Sequence, residues 1–147
     1  MELKDILAIS GMSGLYRFIS QGRNGVIIEG LTDKKRMNAS ASARVSELED
    51  IAIYTDDKEL PLKEVFRRIY TKENGGQAID PKLSNDQLKK YFIEIVPDYD
   101  REKVYTSDIK KVLTWYNLLL SENMIDLVED VKEDSEADDS AAEESNN

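Results

Sequence analysis

The stretch Ser20-Gln21-Gly22-Arg23-Asn24-Gly25-Val26-Ile27-Ile28 decides how the first part of the chain folds. Its Gly-Arg-Asn-Gly centre has two interpretations: the G-x-x-G loop by which KH domains clamp a nucleic-acid backbone, or the turn of a β-hairpin. A KH clamp lies between two helices, whereas the flanks here are rich in Ile, Val, Phe and Tyr, which favour strands. Asn24-Gly25 also suits a primed turn, because both residues tolerate a positive φ. We therefore predict a hairpin between strands at 15–19 and 26–29.

Short strand-like segments recur on both sides of this hairpin. Residues 2–8 predict one short helical turn, which the glycines that follow end. A turn at 32–35 leads to a third strand at 36–40, and a single helical turn at 46–49 precedes a strand at 51–55. Four or five short strands with tight turns in about 55 residues predict a small SH3-like β-barrel, because a barrel hides most strand edges.

The next part of the chain is typical of helices. Pro61 suits a first helical turn, and apolar residues at helical spacing follow it over 62–70. Ser84 or Asn85 is expected to cap a second helix that stops before Pro97, and Ser107 is expected to cap a third that runs to 120. The third helix is apolar over more than half of its circumference, so we expect it to be central and its Trp115 to be largely buried.

The charge is concentrated at one end of the chain. Of the net charge of −10, residues 128–147 contribute −8, from nine acidic side chains and one basic. A segment of this composition cannot bury enough apolar surface to offset its ordering entropy, so we predict disorder. It is interpreted as a solubility tail, a lure for a basic partner or a mimic of nucleic acid. The predicted fold is α+β: a barrel domain at 1–57, a helical domain at 58–127 and a disordered acidic tail at 128–147.

The composition excludes several kinds of active site. The chain has no cysteine and no histidine, which excludes disulfides, thiolate nucleophiles, zinc–thiolate sites and the commonest general base. No P-loop, G-x-S-x-G or dinucleotide fingerprint occurs. The segment at 98–102 begins like a calcium loop, but Lys103 and Ile109 stand where that loop needs Gly and Glu. We predict a protein that is not an enzyme, with no catalytic residue, metal or cofactor.

The apolar runs of this sequence are short. None approaches the roughly 18 residues of a membrane-spanning helix, and the run near the N-terminus is too short for a signal peptide. We therefore expect a cytoplasmic protein that has no contact with a membrane.

Basic side chains cluster at the predicted hairpin turns. With aromatic rings beside them for base stacking, they meet the minimum for binding single-stranded nucleic acid. Solvated turn charge is the alternative, because residues 1–60 are net −2 and the basic run is short. The candidate contacts are Arg23, Lys34, Lys35 and Arg36, with Arg44 near them in sequence and Tyr16 and Phe18 available for stacking.

The aromatic pair Trp115-Tyr116 lies on the third predicted helix. A place in the hydrophobic core is one interpretation of the pair, and the wall of a partner groove is the other. Tyr116 is therefore also a candidate partner contact.

Several motifs resemble those of a known family. They are L-K-D-I-L-x-I-S-G-x-x-G-L-Y at 3–16, Q-G-R-N-G-V-I-I-E at 21–29, S-x-L-E-D-I-x-I-Y at 46–54 and D-R-E-K-V-Y-x-S-D-I-K-K-V-L-x-W-Y at 100–116. Together they are similar to an uncharacterised family from Bacteroidetes bacteria, over most of residues 2–120. The resemblance implies two consecutive domains of unknown function, a small β domain and a helical domain, and gives no catalytic residues to carry over.

These features favour an interaction or adaptor protein of bacteria that binds a macromolecular partner without catalysing a reaction. The partner is expected to be a protein, and the acidic tail suits a basic one. The alternative is a nucleic-acid-binding protein, associated with transcription or translation, that uses the basic hairpin turns; this alternative is not favoured.

Deleting residues 129–147 tests the interpretation of the tail. The deletion removes nine acidic groups and one lysine, and the net charge goes from −10 to −2. We expect the free energy of unfolding to change by less than about 1 kcal/mol, and upward if the tail repels itself. Thermal and urea melts of the two proteins measure this change. A large drop in melting temperature would mean that the segment is packed on the body.

Overall fold

Ten regular elements follow one another in the computed structural model, which describes residues 3–12 and 14–125. The tail predicted at 128–147 lies outside the described residues. Short 3-10 turns at Leu3–Asp5 and Leu48–Asp50 accompany the strands. The elements are β1 (Ile6–Ile9), β2 (Leu15–Gln21), β3 (Gly25–Gly30), β4 (Arg36–Ser40), β5 (Val45–Glu47), β6 (Ala52–Tyr54), β7 (Glu59–Pro61), α1 (Leu62–Lys72), α2 (Asn85–Ile95) and α3 (Thr106–Ser121). The α+β class is confirmed.

The strands form two antiparallel sheets instead of a barrel. Five of them form a sheet in the order β4-β3-β2-β1-β5, and β6 pairs with β7 in a second sheet. The predicted SH3-like barrel is wrong in its closure: the five-stranded sheet is open, with β4 and β5 at its edges. The strand predicted at 51–55 was expected to belong to the barrel, but it turns away to pair with the chain that enters α1.

The first strand corrects the helical turn predicted at 2–8. Only Leu3–Asp5 form a 3-10 turn, and Ile6–Ile9 form β1, whose four residues are all buried. Ile6 and Ala8 pack into the larger apolar cluster, whereas Leu7 and Ile9 pack into a smaller one on the other face of the sheet. A short strand buried on both faces has no alternation of apolar and polar residues, so its periodicity does not distinguish it from a helix.

The hairpin predicted around Gly25 is confirmed, but the reason for its glycine is different. β2 and β3 pair antiparallel, so the flanks are strands and the KH interpretation is wrong. Neither Asn24 nor Gly25 has a positive φ, so the turn does not need the primed conformation. Gly25 is required by close approach instead: a Cβ there would lie 1.9 Å from the carbonyl oxygen of Ala39 on β4.

The three helices form where apolar spacing predicts them. Ser84 caps α2 and forms a reciprocal capping box with Gln87. Helix α3 begins two residues earlier than expected, with Tyr105 instead of Ser107 as its N-cap, and Asp108 accepts a hydrogen bond from the Tyr105 backbone N–H at 2.9 Å. In the described part of the chain, no helix is both long and apolar enough to cross a membrane.

One apolar core connects the sheet to the helices. The larger cluster contains Leu15 and Leu31 from the sheet together with Phe66, Phe92 and Leu113 from the three helices. Six residues of α3 are buried, and Trp115 is 8% exposed, so its predicted burial is confirmed. Because this core crosses from the first half of the chain to the second, the two parts pack as one body. The domain boundary at 57/58 stays a prediction.

Replacing Gly25 with Val tests the close approach of β3 to β4. We expect Gly25→Val to lower the free energy of unfolding by about 1–3 kcal/mol, because the new Cβ overlaps the Ala39 backbone. Urea unfolding measures the loss. Gly14→Val is the matched control, since a Cβ at Gly14 meets no atom within 4 Å. Arg23→Ala should be nearly silent, and an equal cost for Arg23→Ala and Gly25→Val would contradict this explanation.

Candidate functional site

A groove of about 390 Å³ lies where the five-stranded sheet, β6 and α3 meet. Its floor is apolar and includes Ile9 from β1, Ile53 from β6, and Val112 and Trp115 from α3. The sheet is open at β5: after Leu48–Asp50 the chain forms β6, which pairs with β7, and in the described residues no strand pairs with the free edge of β5. The groove is therefore built from both halves of the chain.

One face of α3 forms the helical wall of the groove. Asp108, Lys111, Val112 and Trp115 line it and follow the spacing i, i+3, i+4, i+7, which places side chains on one face of a helix. The apolar members, Val112 and Trp115, belong to the floor, and Asp108 and Lys111 add charge beside it. The same helix thus contributes core packing and charge to one surface.

Three cations surround this apolar floor. Arg44 precedes β5, and the Ser10 backbone N–H donates to its carbonyl oxygen at 2.9 Å. Lys103 lies before α3, with its Nζ 5.2 Å from the centroid of the Tyr54 ring, and Lys111 lies on α3. All three are exposed, and none forms an ion pair with a residue in 3–12 or 14–125.

Among the residues that the structure describes, a single acidic side chain, Asp108, lines the groove. Its carboxylate already accepts the hydrogen bond that starts α3, so it serves the helix end. Three cations against one anion give the lining a net charge of +2. Tyr54, 45% exposed, adds an aromatic surface beside the cations. The arrangement suits an anionic ligand that also carries apolar groups.

The described lining of the groove consists of apolar, aromatic, serine, lysine, arginine and aspartate side chains. Its lining contains neither histidine nor cysteine. Among the described residues, no group of three acidic, histidine or cysteine side chains is placed to hold a metal ion.

The structure does not bring the predicted basic contacts together. Arg23 lies in the loop between β2 and β3, whereas Lys34 and Lys35 lie in the loop between β3 and β4. These loops are at opposite ends of β3, about 17 Å apart at 3.3 Å per residue. A single ligand contact that spans both loops would have to follow the full strand.

Ion pairs also reduce the charge of these predicted contacts. Arg36 donates from Nε to Glu29 at 3.1 Å, and Arg17 donates to the same carboxylate at 3.3 Å. The hydrogen bond from Arg36, followed by that from Arg17, holds the pKa of Glu29 below its usual value. The Nζ of Lys34 lies 3.6 Å from Oε1 of Glu122, at the end of α3. Of the four basic residues, Arg23 and Lys35 form no ion pair with a described residue.

Arg23 instead shares a depression with one of the predicted stacking residues. Phe18, 44% exposed, and Arg23 both line a trough of about 640 Å³ on the face of the sheet that the helices do not cover. The smaller apolar cluster lies on this face, and Tyr16 is half-buried against it. The trough is lined by one cation, Arg23, and one anion, Glu47, so it lacks the net positive charge of the groove.

Tyr116 requires a correction, because it is a core residue and not a partner contact. It is 0% exposed, and its hydroxyl donates to the carbonyl oxygen of Gly76 at 2.9 Å. Its neighbour Asn117 accepts from the backbone N–H of Ala78 at 2.8 Å. Together they attach the loop between α1 and α2 to α3.

Sequence reasoning missed most of the groove. Lys103, Lys111 and Tyr54 were not singled out, and Arg44 was noted only for its closeness to the hairpins in sequence. One signal was available: a lysine stands among the apolar positions of the third helix at i+3 from Asp108. The remaining lining joins residues as far apart as Ala8 and Trp115, which are 107 positions apart in the chain.

Two family models match the chain. A domain of unknown function, DUF5606, matches residues 3–48, and a second domain of unknown function, DUF6852, matches residues 51–119. A solution NMR structure from Bacteroides vulgatus, determined by the Northeast Structural Genomics Consortium, is similar at 47% identity and a TM-score of 0.70. The similarity covers 83% of this chain and 88% of that one. No curated protein matches.

Replacing Tyr116 with Phe tests its structural role. We expect Tyr116→Phe to lower the free energy of unfolding by about 1 kcal/mol, because the partly buried Gly76 carbonyl loses its donor. Chemical unfolding measures the loss. Tyr54→Phe is the control, since that ring is exposed and should lose a few tenths of a kcal/mol at most. Equal stability of the Tyr116→Phe variant and the parent would contradict this role.

Proposed function

The chain belongs to a Bacteroidetes family that joins two consecutive domains of unknown function, and we propose that it acts as a non-enzymatic interaction protein. Its binding surface is the groove between the sheet and α3. Its ligand is an acidic segment of a protein partner that also carries apolar side chains. We also propose that the boundary between the two domains lies at 57/58 and that the protein is cytoplasmic.

The observation that carries the proposal is the set of three exposed cations around one apolar floor. Arg44, Lys103 and Lys111 come from separate segments, and no described acidic side chain neutralises them. Interfaces commonly combine an apolar centre with a polar rim of this kind. The apolar floor would provide affinity, and the rim cations would provide selectivity for an acidic partner and faster association at low salt.

The lining favours binding over chemistry. A nucleophile needs a neighbouring base, and a general acid needs a partner that tunes its pKa. The one carboxylate that the described residues bring to the groove, Asp108, instead accepts a backbone hydrogen bond at the start of α3. This is the physical support for an interaction role.

A second candidate function is single-stranded nucleic-acid binding on the uncovered face of the sheet. It is favoured by one observation, that Phe18 and Arg23 line the same trough. An exposed ring beside a cation is the unit from which single-strand sites are built. The separation of Arg23 from Lys34 and Lys35 counts against an extended site, so this candidate ranks second.

A triple variant tests the groove. We expect Arg44→Ala/Lys103→Ala/Lys111→Ala to weaken the binding of a 15-residue peptide of Asp, Glu and Ser with one central Phe by about tenfold at low salt. Three exposed charge contacts of about 0.5 kcal/mol each account for this factor. Fluorescence anisotropy of the labelled peptide measures the affinity, and the difference should shrink as salt rises.

The matched control removes the same charge elsewhere. Lys82→Ala/Lys89→Ala/Lys90→Ala changes three exposed lysines in and before α2 and should bind the peptide within about twofold of the parent. An equal loss of peptide affinity in the two triple variants would mean that the peptide is attracted nonspecifically by positive charge, and would overturn the proposal. Tight binding of a random single-stranded oligonucleotide that Phe18→Ser abolishes would favour the second candidate.

A further inference from the structure

We propose that the groove also binds the acidic segment of its own chain, residues 129–147, so that a partner must displace this segment to bind. The inference rests on the proposed function, because it requires a groove that accepts acidic chains. It goes further, because it names an occupant of the groove. That occupant, residues 129–147, competes with the partner for the same surface.

Charge complementarity is the first support. Residues 129–147 carry nine acidic groups and one lysine, a net charge of −8. The rest of the chain is net −2, the difference between −10 and −8, so the segment is repelled by the body as a whole. The groove lining has a net charge of +2, so it attracts the acidic segment although the rest of the body repels it.

The second support is reach. The described part of the chain ends at Ile125, just after α3, and 22 residues follow it. Lys111 lies ten residues before the end of α3 at Ser121, which is about 15 Å along the helix at 1.5 Å per residue. An extended chain of 22 residues spans up to about 70 Å. The segment therefore reaches the groove with ample slack.

Because the acidic segment is covalently attached to the body, weak contacts are enough for it to occupy the groove. A segment tethered close to its site acts at an effective concentration in the millimolar range, so even weak ionic contacts fill the site part of the time. The segment has only Val131 and three alanines with which to cover the apolar floor. A partner with a larger apolar residue among its acids would gain contact with Trp115 and Val112 and displace it.

The absence of cysteine permits a direct test. Ser140→Cys creates a unique thiol in the full chain, to which a nitroxide spin label can be attached. We expect paramagnetic broadening of the backbone amide signals of Arg44, Lys103 and Lys111, and none at Lys89 and Lys90 on α2. High salt should remove the broadening. A label at Ser135→Cys repeats the measurement from a second position.

A charge-neutral segment provides the functional readout. Replacing all nine acidic residues of 129–147 by their amides, in the full chain, should raise affinity for the acidic peptide at least threefold at low salt. The groove triple variant should lose this gain. A control chain with the same nine acidic residues in shuffled order should behave like the parent, because the attraction depends on charge.

The outcomes separate the two proposals. Uniform or absent broadening, together with peptide affinity unchanged by amidation, would overturn the self-binding inference and leave the groove as a partner site. Peptide binding that is insensitive to Arg44, Lys103 and Lys111 even in the amidated chain would overturn the proposed function itself. Broadening confined to the uncovered face of the sheet, near Phe18, would also overturn the inference and assign the segment to the trough.

Discussion

Burial of one face of the sheet against the helices is the constraint on which the rest of the structure depends. Leu15 of β2 and Leu31, just after β3, share the larger cluster with Phe66 and Leu113 of the helices, so neither half completes this core without the other. This explains why two sequence families match adjacent parts of a single body. The groove lies at this junction, where the sheet, β6 and α3 meet.

The open edge of the five-stranded sheet is the second feature on which the groove depends. A strand that closed the sheet beside β5 would fill the groove with backbone, whereas β6 pairs with β7 and directs the chain into α1. The result is a surface assembled from segments around residues 44, 54, 103 and 111. On the hairpin side of the sheet, by contrast, Glu29 pairs with both Arg17 and Arg36. Two arginines therefore share one carboxylate along the strands, whereas the cations at the junction have no ion pair with a described residue.

The sequence predicts local structure here better than it predicts the site. The spans of α1 and α2 and the strand at 36–40 follow from apolar spacing, proline positions and the Ser84 cap, all of which act within a few residues. The prediction of a closed barrel failed because closure depends on which strand pairs with β6, and local sequence does not determine that pairing. The groove was missed for the same reason, and Tyr116 was misassigned because a sequence does not say which side of an apolar helix faces inward.

Trp115 gives the groove a practical property. It is the single tryptophan of the chain, and it stands in the wall of the groove while its ring is almost entirely shielded from water. Any occupant that changes the polarity around this wall changes the emission of the one dominant fluorophore. The protein thus contains its own optical reporter, and an unlabelled titration of the native chain reads groove occupancy directly.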